Sequence, residues 1–117
     1  MRILVVDDTE TMRFLLGRYF ESLGHEVVAL ASGRDVPSAL EAGVFDAVFT
    51  DVAMPDSSGW DVLRTVRAAR PGVPVVLVTG WSDGSTGPDG LAADAVLDKP
   101  VSLDRLREVL EALPRPR

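Results

Sequence analysis

The sequence predicts an α/β domain in which a parallel sheet is covered by helices on both faces. Two observations carry this prediction. Short apolar runs rich in valine and leucine alternate with segments whose apolar residues recur at helical spacing. The runs themselves show almost no alternation of apolar and polar residues, which is typical of parallel strands buried on both faces. Successive strands should therefore be joined by right-handed crossovers.

The predicted strands cover residues 3–6, 25–31, 45–50, 73–78 and 95–97. Helical patterns follow the first three strands and the last one. The first helix buries a stripe made of Met12, Leu15, Leu16, Tyr19, Phe20 and Leu23. The second begins after Ser32 and ends at Gly43, the third covers about 60–69, and the last is capped by Ser102. The stretch 81–93 contains three glycines and a proline, so it predicts only a short or irregular fourth crossover helix.

Length and composition indicate one globular domain over residues 1–113, with a frayed tail at 114–117. The net charge of −6 argues against nonspecific binding to nucleic acid. No apolar run has the length of a membrane span, and the first strand begins at once without a signal peptide. A cytoplasmic location without membrane contact is the resulting expectation.

Polar residues that could take part in catalysis or ligand binding follow four of the predicted strands. Asp7 and Asp8 come after the first strand and Asp51 after the third, while Thr79 and Lys99 follow the fourth and fifth. Each could be an ordinary loop residue if it were considered alone. Together they should meet at one edge of the sheet, where open parallel sheets bind their ligands. Lys99 is also the single lysine among 12 basic residues.

This set of residue types suits the transfer of a phosphoryl group to a carboxylate. A carboxylate can act as the nucleophile and form an aspartyl phosphate. Acidic oxygens hold Mg²⁺, while a hydroxyl and an ammonium group can bind phosphoryl oxygens. The strand ends therefore predict a magnesium-dependent phosphoryl-transfer site.

Four motifs resemble those of the receiver domain of bacterial two-component response regulators, as in chemotaxis regulators. They are Leu4-Val-Val-Asp-Asp8, Thr50-Asp-Val-Ala-Met-Pro55 followed by Gly59, Val78-Thr-Gly80, and Asp98-Lys-Pro100. The resemblance covers nearly the whole chain. It implies a flavodoxin-like, doubly wound sheet of five parallel strands in the order 2-1-3-4-5.

The resemblance also implies a function for the site. Asp51 would accept a phosphoryl group from a histidine kinase or a histidine phosphotransfer protein, and Thr79 and Lys99 would contact the phosphoryl oxygens. The domain would be a signalling switch rather than a turnover enzyme, catalysing its own phosphorylation and dephosphorylation. It would control a downstream protein that the sequence does not name.

The magnesium ligands follow from the same resemblance. Asp8 and Asp51 would bind Mg²⁺ directly, and the backbone carbonyl of Ala53 would be a third protein ligand. Asp7 would act mostly through bound water. The peptide bond between Lys99 and Pro100 would be cis.

Three positions depart from the family pattern. Val96 stands where an aromatic ring commonly swings inward on activation, so we expect the output to be read through the 81–93 segment instead. Ala53 and Trp81 occupy the two positions that tune hydrolysis of the acyl phosphate. Because neither can readily orient a water molecule, they predict a long-lived phosphorylated form.

Other interpretations remain open at this point. A haloacid dehalogenase-type phosphatase wants Asp-x-Asp after the first strand, whereas Asp7 and Asp8 are adjacent. A flavodoxin-like mononucleotide binder would need a phosphate-cradling loop in the same place. The chain could also be a scaffold that works without phosphorylation, or the receiver module of a hybrid histidine kinase. His25 is expected at the surface, far from the acids, and Trp60 is expected to pack its helix.

Overall fold

The computed structural model describes residues 1–80, 87 and 90–114. Five parallel strands form one sheet in the order β2-β1-β3-β4-β5, which confirms the predicted flavodoxin-like topology. The strands are β1 (Arg2–Val6), β2 (Glu26–Leu30), β3 (Ala47–Asp51), β4 (Val75–Thr79) and β5 (Ala95–Asp98). The helices of the described residues are α1 (Glu10–Ser22), α2 (Val36–Ala42, preceded by a 3₁₀ turn at Gly33–Asp35), α3 (Gly59–Ala69) and α4 (Leu103–Ala112).

Strands β3 and β4 begin later than the apolar pattern predicts, at Ala47 and Val75. The main chain of Arg2 donates to the Asp46 carboxylate at 2.7 Å, just before β3. The main chain of Val75 donates in the same way to Asp94 at 2.8 Å, just before β5. Phe45 and Val73 were expected in strands; they precede them and are buried nonetheless. Apolar runs therefore mark burial better than they mark ladder pairing.

The core has two layers, one on each face of the sheet. Alternate strand residues such as Val5 and Phe49 pack with α1 and α4, while Leu4 and Val48 pack with α2 and α3. The Phe49 ring meets Phe20 of α1 edge-to-face, with the ring centroids 4.9 Å apart. This double coverage is why the strands read as continuous apolar runs.

Helix α1 buries less of its predicted stripe than expected. Leu16 and Phe20 are fully buried, and the other four residues of the stripe are half-buried. Phe14, which the pattern left outside the stripe, is 68% exposed. Ser102 caps α4 as predicted, because its side chain accepts a hydrogen bond from the Arg105 main chain.

The predicted irregular crossover between β4 and β5 lies mostly outside the described residues, as does Trp81. Within the described part, the Gly87 main chain donates to the Leu91 carbonyl at 2.7 Å. A side chain at Gly87 would run into the indole of Trp60 on α3, so the glycine lies directly against that ring. Trp60 is half-buried beside the α2–α3 side of the core, as expected for a packing residue.

None of the described helices combines the length and apolar character that a membrane crossing requires. Of the tail expected at 114–117, only Pro114 is among the described residues.

Candidate functional site

The sheet brings the predicted polar residues together at the carboxyl ends of four strands. Asp51 and Thr79 are the last residues of β3 and β4, and Asp7 directly follows β1. The Lys99 main chain donates to the Thr79 carbonyl at 2.9 Å, which continues the pairing of β4 with β5. The apolar pattern predicts that the third and fourth strands end before Asp51 and Thr79; both residues lie within their strands, and their positions at the sheet edge are as expected.

Two of the three acids are buried. Asp7 is 1% exposed and Asp51 is 8% exposed, whereas Asp8 faces solvent. The Lys99 ammonium lies 3.4 Å from Asp51 Oδ1 and 3.8 Å from Asp7 Oδ2. Thr79 is buried beside them in the same edge of the sheet. A single lysine thus pairs with two buried carboxylates, so the site carries an excess of negative charge.

The three aspartates form a cluster suited to a hard cation. Asp7, Asp8 and Asp51 each offer a carboxylate oxygen, and these oxygens lie within 4.8 Å of one another. Asp7 Oδ2 is buried and has no hydrogen-bond partner among the described residues. Because a buried oxygen without a hydrogen bond is costly, a metal ion or its bound water would supply the partner that the described residues do not. The donor set fits Mg²⁺, which prefers carboxylate and carbonyl oxygens.

Burial, as the largest effect, raises the pKa of the Asp51 carboxyl above its usual range. The positive charge of Lys99 lowers this pKa, and the negative charge of Asp7 raises it again. Burial therefore disfavours the ionised form of Asp51 in the folded protein. In the metal-free protein this is a local source of instability.

We expect Asp51→Asn to stabilise the metal-free protein at neutral pH by about 1 kcal/mol, because it removes a buried charge. The folded-state pKa of Asp51 lies above the unfolded value, so the folded state binds more protons between the two values. Stability from this group is therefore lost as pH rises through that window. The stability gain of Asp51→Asn should be complete at pH 7 and should vanish below the pKa that Asp51 has in the unfolded state.

Denaturant unfolding in EDTA at a series of pH values measures this. Asp35→Asn is the matched control, because it removes the same charge from an exposed carboxyl with no capping hydrogen bond. An equal pH dependence in both variants would contradict the assignment of the instability to Asp51.

The loop between β1 and α1 is fixed by two hydrogen bonds to Asp7. The Thr9 main chain donates to Asp7 Oδ1 at 2.8 Å, and Arg13 Nη1 donates to the Asp7 carbonyl oxygen at 2.8 Å. No motif in the sequence points to Arg13. The available signal was an arginine in the first turns of α1, where side chains lean back toward the helix start.

The loop between β3 and α3 holds Ala53 close to Asp51. The Gly59 main chain donates to the Val52 carbonyl at 2.8 Å, and Ala53 forms an isolated antiparallel bridge with Ser58. Ser58 and Asp61 form a reciprocal capping box at the start of α3. The Ala53 backbone is thereby tied into a short, closed loop.

The peptide bond between Lys99 and Pro100 is cis, as the resemblance implied. His25 lies at the opposite end of the sheet, where its Nδ1 is 3.0 Å from the amino group of Met1. The expectation that His25 is remote from the acids is therefore correct. Burial lowers the pKa of His25, and the nearby amino group lowers it further.

Comparison with known proteins decides the family. Residues 3–111 match the response regulator receiver domain family. The chain belongs to this family. The transcriptional regulatory protein TcrA of Mycobacterium tuberculosis H37Rv is 40% identical over 98% of this chain and 46% of TcrA. This receiver domain thus spans about half the length of that relative.

Solved receiver structures share the fold over almost the whole chain. The response regulator TrrA of Thermotoga maritima, solved with Mg²⁺ and beryllofluoride, superposes with a TM-score of 0.85 at 30% identity, covering 94% of this chain and 96% of TrrA. TrrA has also been solved in complex with the histidine kinase ThkA. The chemotaxis protein CheY4 of Vibrio cholerae gives a TM-score of 0.85 at 25% identity, covering 97% and 98% of the two chains.

Proposed function

We propose that this receiver domain accepts a phosphoryl group on Asp51 and thereby switches the activity of a partner protein. The observation that supports this most strongly is the buried Asp51 carboxylate, which lies 3.4 Å from the Lys99 ammonium beside two further acids. Two of these three carboxylates are buried, and a group that reacts or binds a cation at this position would account for their burial. The presence of all the predicted acids together with Thr79 and Lys99 also argues against a scaffold that works without phosphorylation.

In the proposed reaction an Asp51 carboxylate oxygen attacks the phosphorus atom of a phosphohistidine donor. A new P–O bond forms, the P–N bond breaks, and its electron pair returns to the donor imidazole. The positive charge of Lys99 lowers the pKa of Asp51 and so favours the ionised form that attacks, and Lys99 would also bind one phosphoryl oxygen. Thr79, buried at the end of β4, would bind another.

The magnesium ion would be held by Asp8, Asp51 and the Ala53 carbonyl, with Asp7 acting through water. When bound, Mg²⁺ neutralises charge on the nucleophile and on the phosphoryl oxygens. The residues present fit this ion, because the site offers hard oxygen donors and one buried oxygen that has no hydrogen bond within the described part of the chain. Excess negative charge in the metal-free site would also repel a phosphoryl donor.

A histidine kinase or histidine phosphotransfer protein is the proposed donor, and the complex of TrrA with a histidine kinase supports this. We propose that the downstream partner is a protein; the net charge of −6 argues against nonspecific nucleic-acid binding by this domain. We propose residues 1–113 as the receiver unit, with a cytoplasmic location.

Intact-mass measurement with acetyl phosphate and Mg²⁺ tests the proposal. The parent and the Asp35→Asn control should gain one phosphoryl group, and Asp51→Asn should gain none. EDTA should prevent the gain in every protein. If Asp51→Asn is phosphorylated like the parent, the proposed acceptor is wrong; if the parent gains nothing from acetyl phosphate or from phosphorylated kinase, the proposed function is wrong.

The phosphorylated form should be long-lived. The methyl side chain of Ala53 cannot orient an attacking water molecule, and Trp81, which lies outside the described residues, offers an indole instead of a carboxylate or amide. We expect the double variant Ala53→Asn, Trp81→Glu to lose its phosphoryl group at least about 10-fold faster than the parent, because a positioned acid–base group typically contributes a factor of about 10² or more to a rate. The decay of phosphorylated mass after removal of acetyl phosphate measures this. Equal lifetimes would contradict the assignment of these two positions.

A further inference from the structure

Arg13 contacts the acidic site without being part of it. Its Nη1 donates to the main-chain carbonyl oxygen of Asp7 at 2.8 Å, and its side chain is half-buried. The backbone of Arg13 is fixed in the first turn of α1, where its main chain donates to the Thr9 carbonyl at 3.1 Å. The guanidinium therefore ties the start of α1 back to the end of β1.

This contact fixes the peptide group that joins Asp7 to Asp8. The Asp7 carbonyl oxygen belongs to that peptide plane, so holding the oxygen holds the direction in which the chain enters Asp8. The Asp7 side chain is held separately, by the Thr9 main chain at 2.8 Å. Arginine suits this role because its broad planar fork can reach a carbonyl while staying charged.

Asp8 depends on this support more than the other two acids do. Asp7 and Asp51 are buried and contact Lys99. The Asp8 carboxylate is exposed, and no hydrogen bond or ion pair holds it among the residues that the structure describes. Its position relative to the other two oxygens is therefore set by the backbone of the β1–α1 loop.

We propose that Arg13 is a positioning residue, which holds the Asp7–Asp8 peptide so that the Asp8 carboxylate completes the magnesium site. This inference rests on the proposed function, because it assigns Arg13 to the metal of the same site. It does not place Arg13 in contact with the metal or with the phosphoryl group.

The charge of Arg13 makes the proposal sharply testable. A cation close to the site repels Mg²⁺, so a purely electrostatic influence predicts tighter Mg²⁺ binding when Arg13 is neutralised. Positioning predicts weaker binding, because Asp8 is then free to turn away. The two effects have opposite signs.

The test compares Arg13→Met with Arg18→Met by calorimetric titration of the full chain with Mg²⁺. Arg18 lies further along α1 and is exposed, so its replacement removes the same charge from the same helix without touching the loop. We expect the Kd for Mg²⁺ to rise about 10-fold in Arg13→Met, as for other groups that orient metal ligands, and to change less than about twofold in Arg18→Met.

Phosphorylation kinetics give a second readout. At saturating Mg²⁺ and acetyl phosphate, Arg13→Met should be phosphorylated within about twofold of the parent rate, because the site is complete once the metal is bound. Unchanged or tighter Mg²⁺ binding overturns the proposal. A rate that falls at saturating Mg²⁺ while the Kd is unchanged also overturns it, because Arg13 would then act on the donor.

Hydrogen exchange of the metal-free protein separates this inference from the proposed function. The Thr9 amide, which donates to Asp7, should exchange faster in Arg13→Met than in Arg18→Met or the parent. If the parent itself fails to bind Mg²⁺, the proposed function is wrong. In that case, equal exchange of the Thr9 amide in all three proteins would also overturn the role of Arg13. Matching denaturation midpoints confirm that the variants are folded.

Discussion

Gly59→Ala should lower both the stability of the domain and its rate of phosphorylation. A methyl group at Gly59 would lie 2.5 Å from the Asp51 carbonyl oxygen and 3.0 Å from the Val52 Cα atom. Both atoms belong to the backbone, so neither can turn aside as a flexible side chain would. The strand end that carries the phosphoacceptor must shift instead.

We expect the free energy of unfolding to fall by about 2–3 kcal/mol, which is the usual cost of overpacking a buried site. The phosphorylation rate should fall about 10-fold, because small displacements of a reacting group are costly in rate. Denaturant unfolding and the initial rate of phosphorylated mass measure the two effects.

Gly17→Ala is the matched control for the added methyl group. Gly17 lies within α1, and a methyl group there would have no neighbour within 4 Å. It should stabilise the domain by about 0.5–1 kcal/mol through the helix preference of alanine. If Gly59→Ala matched the parent in stability and in phosphorylation rate, the close approach of Gly59 to the Asp51 backbone would not constrain the fold or the site.

Lys99→Met should lower the rate of phosphorylation about 100-fold while leaving Asp51 present. Within residues 1–80, 87 and 90–114, Lys99 is the one cation that forms an ion pair with the side-chain carboxylates of Asp51 and Asp7. Its removal raises the pKa of Asp51 further and takes away a donor for the developing charge on the phosphoryl oxygens. Loss of one such donor typically costs a factor of 10² to 10³ in rate.

The initial rate at saturating Mg²⁺ and acetyl phosphate measures this effect. Lys99→Arg keeps the charge but replaces a compact ammonium with a planar fork, so it should restore only part of the rate. Arg105→Met removes a charge from the exposed face of α4 and should leave the rate unchanged. A parent-like rate in Lys99→Met would show that Lys99 has no part in the transfer.

Much of the fold could be predicted from the sequence, because strands that are buried on both faces require continuous apolar runs. The position of the site follows from this, since the carboxyl ends of such strands meet at one edge. Strand boundaries were less accurate, because Phe45 and Val73 are buried and extend the apolar runs although they precede β3 and β4.

Details of the site depend on three-dimensional contacts that no local pattern reports. The adjacent acids Asp7 and Asp8 look alike in sequence, yet one is buried and the other faces solvent. Arg13 was missed because its partner is a main-chain carbonyl, which every residue possesses. The contact of Gly87 with Trp60 joins two distant segments and was equally invisible.

The central claim, that Asp51 accepts the phosphoryl group, is tested most directly by trapping the acyl phosphate with borohydride. Borohydride reduces an aspartyl phosphate to homoserine, which fragmentation of the tryptic peptide 35–64 can locate among its five aspartates. We expect homoserine at position 51 only, and only after incubation with Mg²⁺ and acetyl phosphate. Homoserine at another aspartate of this peptide, with none at position 51, would contradict the account.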